Sequence, residues 1–295
     1  MSLTLRAYAK VNLTFEALSK RADGYHEIVT VLQTVSLADT LTFELGESLD
    51  LSCNVPSLQS ADNLVLKAAS LLREETGCLK GASIGLTKEI PIAAGLGSGA
   101  TDAAATLVGL NRLWELNLPL ERLLELAANL GSDVPSFLCG GTVLAKGRGD
   151  RVTPLPPIPE LWLVLLRPAI EPVLGKTAQL YSQLDTSHFT SGQFTERLVD
   201  HLLYGQTASS SLLFNIFESV AFDFFPRLSR YRSRFLAAGA ESVHLAGAGF
   251  ALFTLVPNEA QGKALLSNLE ADRLEAYLVR TVEVVPLDAV RDRQC

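Results

Sequence analysis

Residues 91–101 of this 295-residue chain read PIAAGLGSGAT. Gly95, Gly97 and Gly99 alternate with Leu96 and Ser98, and the next charged residue is Asp102. Glycines let a backbone turn tightly and approach a ligand closely. Ala103, Leu107, Leu110 and Trp114 follow at helical spacing. The first amides of a helix have no intrahelical partners, and the macrodipole makes that end positive. A bare loop opening onto such a helix is an anion site, most naturally for phosphate. Thr101 adds a hydroxyl suited to a phosphate or a magnesium ion. On composition alone the stretch is also a linker. A strand expected near 82–87 before it, and the helix directly after it, favour the ligand loop. It lacks the Gly-Lys-Ser/Thr of a P-loop, and its glycines do not follow GxGxxG.

Three further places carry candidate chemistry. Lys10 lies in AYAKVNL, where odd-numbered residues from Leu3 to Ala17 are all apolar. That alternation predicts a strand with one buried face, and sets Tyr8, Lys10 and Asn12 together on the other. Taken alone, Lys10 is better read as an edge-strand lysine that blunts aggregation. Asp133 lies two residues before Pro135 in GSDVPSF, so it stands near a helix start. There it is either an N-cap or a carboxylate aimed by that helix end. LAGAGFALF at 245–253 is a second small-residue turn between two strands, readable also as an ordinary hairpin.

The elements that must position these residues follow from pattern. Asp23-Gly24 marks a turn, and 28–35 and 40–45 read as two strands joined at Ala38-Asp39. Residues 63–76 read as a helix with Asp62 as candidate N-cap and Gly77 as its end. Another helix starts at Pro119 and stops at Gly131, before a Gly-rich stretch at 140–149. TPLPPIP at 153–159 marks a domain boundary, giving domains 1–155 and 160–295. Beyond it come a buried strand at 161–166 and helices around 176–184, 193–204 and 211–222. A helix at 226–237, strands at 242–246 and 250–256, a helix at 258–271 and a strand at 278–285 complete the chain. Strand 161–166 with the last five elements gives βαββαβ, the split βαβ order of a ferredoxin-like sandwich. The fold class expected is α+β.

Composition narrows the function. The chain is 48% hydrophobic and 19% charged, with a net charge of −7. An acidic chain without a basic stripe opposes nucleic-acid binding. Cys53, Cys78, Cys139 and Cys295 form no CxxC pair, which fits a reducing cytoplasm. The four histidines are scattered, so no zinc-binding HExxH is present and no protein metal site is expected. The longest apolar run, LWLVLL at 161–166, is too short to span a bilayer.

AYAKVNL, RADGYHEI, PIAAGLGSGATDAA, LGSDVPSF and LAGAGFALF fall in the order seen in the GHMP kinases, and the sequence resembles that family over most of its length. RADGYHEI separates one branch from the homoserine and mevalonate kinases, which share the glycine loop. The resemblance implies an N-terminal domain of ribosomal-protein type and a ferredoxin-like C-terminal domain. It implies ATP, with Mg2+, as phosphoryl donor. The acceptor it implies is the 2-hydroxyl of a cytidine-diphosphate-linked methylerythritol, in the non-mevalonate route to isoprenoids. By similarity Asp133 is the general base and Lys10 the cation beside it. Pro91, Ile92, Ala93, Ala94, Gly95, Leu96, Gly97, Ser98, Gly99, Ala100 and Thr101 wrap the ATP phosphates. Asn12 assists near the transferred group, and Tyr25 and His26 receive the cytosine. Without the family, Tyr25 and His26 read as a half-covered loop pair. A cytoplasmic monomer or weak homodimer acting on a small molecule is expected. The family loop runs closer to GxGLGGGSSDAA, so Ala93, Ser98, Ala100 and Thr101 depart from it. So do Ala246, where Ser is usual, and Ile216 in LFNIFESV, where an acidic residue is common.

Overall fold

The computed structural model describes residues 2–171 and 173–283. In chain order its elements are β1 (Ser2–Lys20), β2 (His26–Gly46), β3 (Leu49–Cys53), α1 (Leu64–Thr76), β4 (Gly81–Thr87), α2 (Ser98–Leu113) and α3 (Leu120–Leu130). There follow α4 (Val134–Cys139), β5 (Thr142–Gly147), β6 (Arg151–Pro154), β7 (Trp162–Arg167), α5 (Lys176–Ser182), α6 (Gln193–Leu203) and β8 (Phe214–Asn215). The chain continues with α7 (Glu218–Phe224), α8 (Pro226–Ala237), β9 (His244–Leu245), β10 (Leu252–Val256), α9 (Glu259–Ala271) and β11 (Glu275–Arg280). The architecture is α+β, built on two sheets.

The first sheet runs β3-β4-β2-β1-β8, with β5 and β6 attached to β2. Helices α1, α2 and α3 cover one face through Leu72, Leu107, Leu110 and Leu126, packed on Leu41, Phe43 and Ile84. The second sheet is β11-β7-β10-β9, antiparallel throughout. That is the ferredoxin-like order expected from the βαββαβ pattern. Leu163 and Leu165 of β7 face Ala9, Val11 and Leu13 of β1, while Val164 and Leu166 face a third core under α7, α8 and α9. Burial on both faces explains why this strand is an unbroken apolar run rather than an alternating one.

Five expectations are corrected. Residues 28–45 form one strand, not two: β2 is continuous through Ala38-Asp39. Its pairing with β1 slips there, from Tyr8↔Ala38 to Lys10↔Thr34, and Val35 bridges instead to Thr281 near the second sheet. The bulge falls at residues 35–37, and the turn-like dipeptide beside it stays paired with Ala7 and Tyr8. The polar face of β1 is also buried, at Lys10, Asn12, Thr14 and Glu16. Helix α6 covers it, with the Thr195 amide donating to Glu16 and its hydroxyl to Thr14. The N-cap of α1 is Asn63, whose side chain accepts from the Val65 amide; Asp62 instead pairs with Lys67. Finally, 211–222 is not one helix. It passes from a 3-10 turn at Ser210–Leu212 through β8 to α7, because Phe214 and Asn215 pair in parallel with Thr14 and Phe15. Within 140–149, β5 pairs with β2. The expected last strand begins earlier than 278, at Glu275, and residues 284 and 285 lie outside the described residues, as does Cys295. Cys53, Cys78 and Cys139 are free thiols. Among the described residues no helix is long and apolar enough to cross a membrane.

Candidate active site

The slip between β1 and β2 is where the site begins. The Lys10 amide donates to the Leu96 carbonyl at 3.0 Å, so the strand is tied to the glycine loop at this residue. The Lys10 ammonium is buried, and its direction is fixed by Asn12, whose Oδ1 accepts from it at 2.8 Å. Asn12 is held in turn by donating to Thr30 Oγ1 at 2.8 Å. The free end of Lys10 lies 3.5 Å from Asp133 Oδ2.

Asp133 occupies the N-cap position of α4 but makes no side-chain cap. Its carbonyl accepts from the Ser136 amide and hydroxyl, which fixes the backbone and leaves the carboxylate free. That carboxylate is about half exposed and faces the cavity. Of the two sequence readings of Asp133, the cap is the one the geometry does not use.

The glycine loop is shaped by close backbone contact. Gly95 and Gly97 have φ of 91° and 78°, in the left-handed region that favours glycine. A Cβ on Gly95 would overlap the Ala246 carbonyl oxygen, and one on Gly97 would overlap the Phe137 ring. The Ala251 amide donates to the Ala94 carbonyl at 2.9 Å, so the 246–249 turn seals the loop from behind. Asn215 pins that turn by donating to the Leu245 and Gly247 carbonyls at 2.8 and 2.9 Å. Ala93, where the family pattern has glycine, is also left-handed, with φ 57°.

One cavity of about 1450 Å³ joins these parts. Single small-molecule pockets run to about 1,000 Å³, so there is room for two ligands. Ile92, Ala93, Ala94, Gly95, Gly97, Ser98, Gly99 and Ala100 line it, together with Lys10, Asp133, Tyr25 and His26. Pro91, Leu96, Thr101 and Asn12 are buried behind that wall and do not line it. Thr101 has therefore no direct line to a ligand, and Ser98 is the loop hydroxyl that has one.

At the far end, the turn RADGY is closed by Arg21, which bonds Asp23 and Glu27. His26 stacks on Tyr181 at 4.6 Å between ring centres and meets Phe189 edge-on. Burial, with help from Lys20, lowers the His26 pKa, so the imidazole is neutral at neutral pH. Burial and the Asp133 carboxylate push the Tyr181 hydroxyl upward. Tyr25 is half exposed, with the Arg148 guanidinium 5.0 Å above its ring.

Sequence reasoning missed a buried cluster beneath the loop. Lys88 pairs with both Asp39 and Asp102, the latter at 2.6 Å, and all three side chains are almost inaccessible. Asp39 Oδ1 also accepts from the Glu89 and Ile90 amides. Burial pushes the Asp102 carboxyl up to about 7 against the pull of Lys88, and Asp39 adds to the rise. Asp102 Oδ1 has no hydrogen-bond partner. The available signal was Asp102 itself, the lone charge in an apolar stretch. Lys176 and Tyr181, both on α5, were missed as well and gave no local signal.

A carboxylate and an ammonium in contact, beside a loop that can cradle phosphate and within one two-ligand cavity, are the working parts of a small-molecule phosphotransferase. Comparison with known proteins agrees. The model of the GHMP kinases N terminal domain matches residues 63–141. The 4-diphosphocytidyl-2-C-methyl-D-erythritol kinase of Dehalococcoides mccartyi is 45% identical, over 97% of this chain and 100% of that protein. A crystal structure of 4-(cytidine 5'-diphospho)-2C-methyl-D-erythritol kinase superposes with a TM-score of 0.81 at 33% identity, covering 96% of this chain and 100% of that one. The homoserine kinase of Cytophaga hutchinsonii shares the fold, with a TM-score of 0.73 at 22% identity, covering 95% and 94%. The chain belongs to the 4-diphosphocytidyl-2-C-methyl-D-erythritol kinase family of the GHMP kinases.

Proposed function

We propose that the protein transfers the terminal phosphoryl group of ATP to the 2-hydroxyl of 4-diphosphocytidyl-2-C-methyl-D-erythritol. The observation that carries this reading is the single cavity. It sets the Lys10–Asp133 pair between a phosphate loop and the Tyr25–His26 wall. Asp133 takes the proton of the acceptor hydroxyl as its oxygen bonds to phosphorus. The bond to the leaving ADP breaks, and the proton stays on the carboxylate. Lys10, oriented by Asn12, offsets charge on the transferred group. The amides around Gly95 to Gly99 hold the remaining phosphates.

A neutral His26 offers one donor and one acceptor, which suits the amino and carbonyl edge of cytosine. Stacking on Tyr25 adds affinity without base preference. Among the described residues no cluster of three metal-ligating side chains stands together. That fits a magnesium ion arriving with ATP, which takes few protein ligands besides phosphate oxygens and water. Ser98 is the glycine-loop hydroxyl on the cavity wall that would hold it, and the ion would neutralise charge on the phosphates. In this reading residues 1–155 carry the base, the cation and the loop, and 160–295 close the cavity.

The test is ADP release with ATP, Mg2+ and the diphosphocytidyl substrate, with homoserine and mevalonate as competing acceptors. Asp133→Asn is expected to cut kcat by about 10²–10⁴-fold while ATP still binds. Retained turnover in that variant would remove Asp133 as the base. Turnover with another acceptor alone would overturn the substrate.

A further inference from the structure

Lys176 is a cation that the reaction scheme above leaves without a task. It is the first residue of α5, is nine-tenths buried, and lines the same cavity. Its ammonium donates to the Ala93 carbonyl at 3.0 Å and sits 4.2 Å from the centre of the Phe250 ring. Among the described residues it has no ion-pair partner. A buried charge normally has one, because desolvation is costly and must be offset. Its place makes matters worse, since the first turn of a helix disfavours a cation. One carbonyl and one ring face leave ammonium hydrogens unassigned. Burial lowers its pKa to about 8, so near neutral pH most of the population still carries the charge.

We propose that Lys176 is a ligand-binding residue whose missing counter-charge is a phosphoryl oxygen of a nucleotide bound over the glycine loop. The geometry joins two tasks. One donor holds the carbonyl of Ala93, the residue whose left-handed backbone departs from the family glycine. Another reaches the anion that the loop receives. The contact with Ala93 already links α5 to the phosphate loop, and the anion supplies the charge partner that this contact lacks. The phosphoryl oxygen comes either from the ATP side or from the diphosphate of the acceptor. The inference rests on the reading of the cavity given above.

Binding of ADP, CDP, adenosine and cytidine would be measured by calorimetry on the parent, Lys176→Gln and Lys176→Met. Gln keeps a donor for the Ala93 carbonyl and loses the charge; Met loses both. Both variants are expected to bind one of the two diphosphates about 10- to 100-fold more weakly, with nucleoside affinity unchanged. Loss confined to ADP assigns the contact to the donor side, and loss confined to CDP assigns it to the acceptor side. Gln binding both diphosphates like the parent would reduce Lys176 to a loop strut and overturn the proposal. So would an equal loss of diphosphate and nucleoside affinity. A parent that binds no nucleotide at all would instead overturn the reading of the cavity. No arm depends on turnover.

Discussion

Replacing Asp102 by Asn tests whether the cluster under the glycine loop carries one negative charge or two. Lys88 supplies one positive charge to Asp39 and Asp102. With both acids ionised the cluster holds a net buried charge of minus one, and Asp102 Oδ1 has nothing to stabilise it. With Asp102 protonated the cluster is neutral. Burial accordingly raises its pKa from 3.8 to about 7. The folded protein then keeps a proton that the unfolded chain has lost between those two values. Stability therefore falls as pH rises through that window, and the full cost is present above pH 7. Across the whole window the cost is about 4 kcal/mol, at ~1.36 kcal/mol per unit. From pH 5.5 to 7 alone it is roughly 2 kcal/mol, a range that stays above the pI near 5.2. Asn copies the protonated acid: its carbonyl faces Lys88, and its amide replaces the unpartnered oxygen.

Urea unfolding of parent and Asp102→Asn at several pH values reads the difference for the cluster, because titrating groups outside it cancel. The variant is expected to gain on the parent by about 2 kcal/mol between pH 5.5 and 7, with little difference in m-value. Parallel pH curves would show that Asp102 is ionised throughout and that burial does not govern it. A variant less stable than the parent by several kcal/mol at every pH would show that Lys88 needs both carboxylates.

Two other substitutions probe the loop. Gly95→Ala forces a Cβ against the Ala246 carbonyl in a left-handed backbone, and the resisting atoms are main chain. Nucleotide affinity should fall at least tenfold in a calorimetric titration, more than for the open, positive-φ Gly77→Ala. Ala93→Gly acts oppositely. A left-handed L-residue costs about 1–2 kcal/mol, and the unfolded freedom of glycine takes back about 0.5–1, so a net gain of roughly 0.5–1 kcal/mol is expected in urea unfolding. Unchanged or lower stability would show that the left-handed backbone at Ala93 carries no such strain.

The Lys10–Asp133 pair was legible only through the family resemblance. Local pattern alone reads Lys10 as a polar-face residue of an alternating strand and Asp133 as a helix N-cap. What the pattern left open was their meeting, which depends on a strand bulge beside what local rules read as a turn. Ala38-Asp39 looks like a break between strands; in the fold it pairs with Tyr8 and Ala7, β2 bulges beside it at 35–37, Val35 reaches toward the second sheet, and the Lys10 amide is tied to Leu96. The same Asp39 then anchors Lys88 beneath the loop. Residues 211–222 fail for a related reason. Their apolar spacing allows a helix, and only the long-range pairing of Phe214 and Asn215 with β1 makes a strand there. Asn215 then holds the turn that seals the loop, so a misread element and a missed site residue share one cause. Lys176 is harder still. A lysine beginning a short helix carries no sign that its ammonium will be buried; that follows from α5 packing on the glycine loop, 83 residues earlier in the chain. Lys176 and Asn215 both reach the loop region through contacts distant in sequence, and such contacts are what local pattern underdetermines.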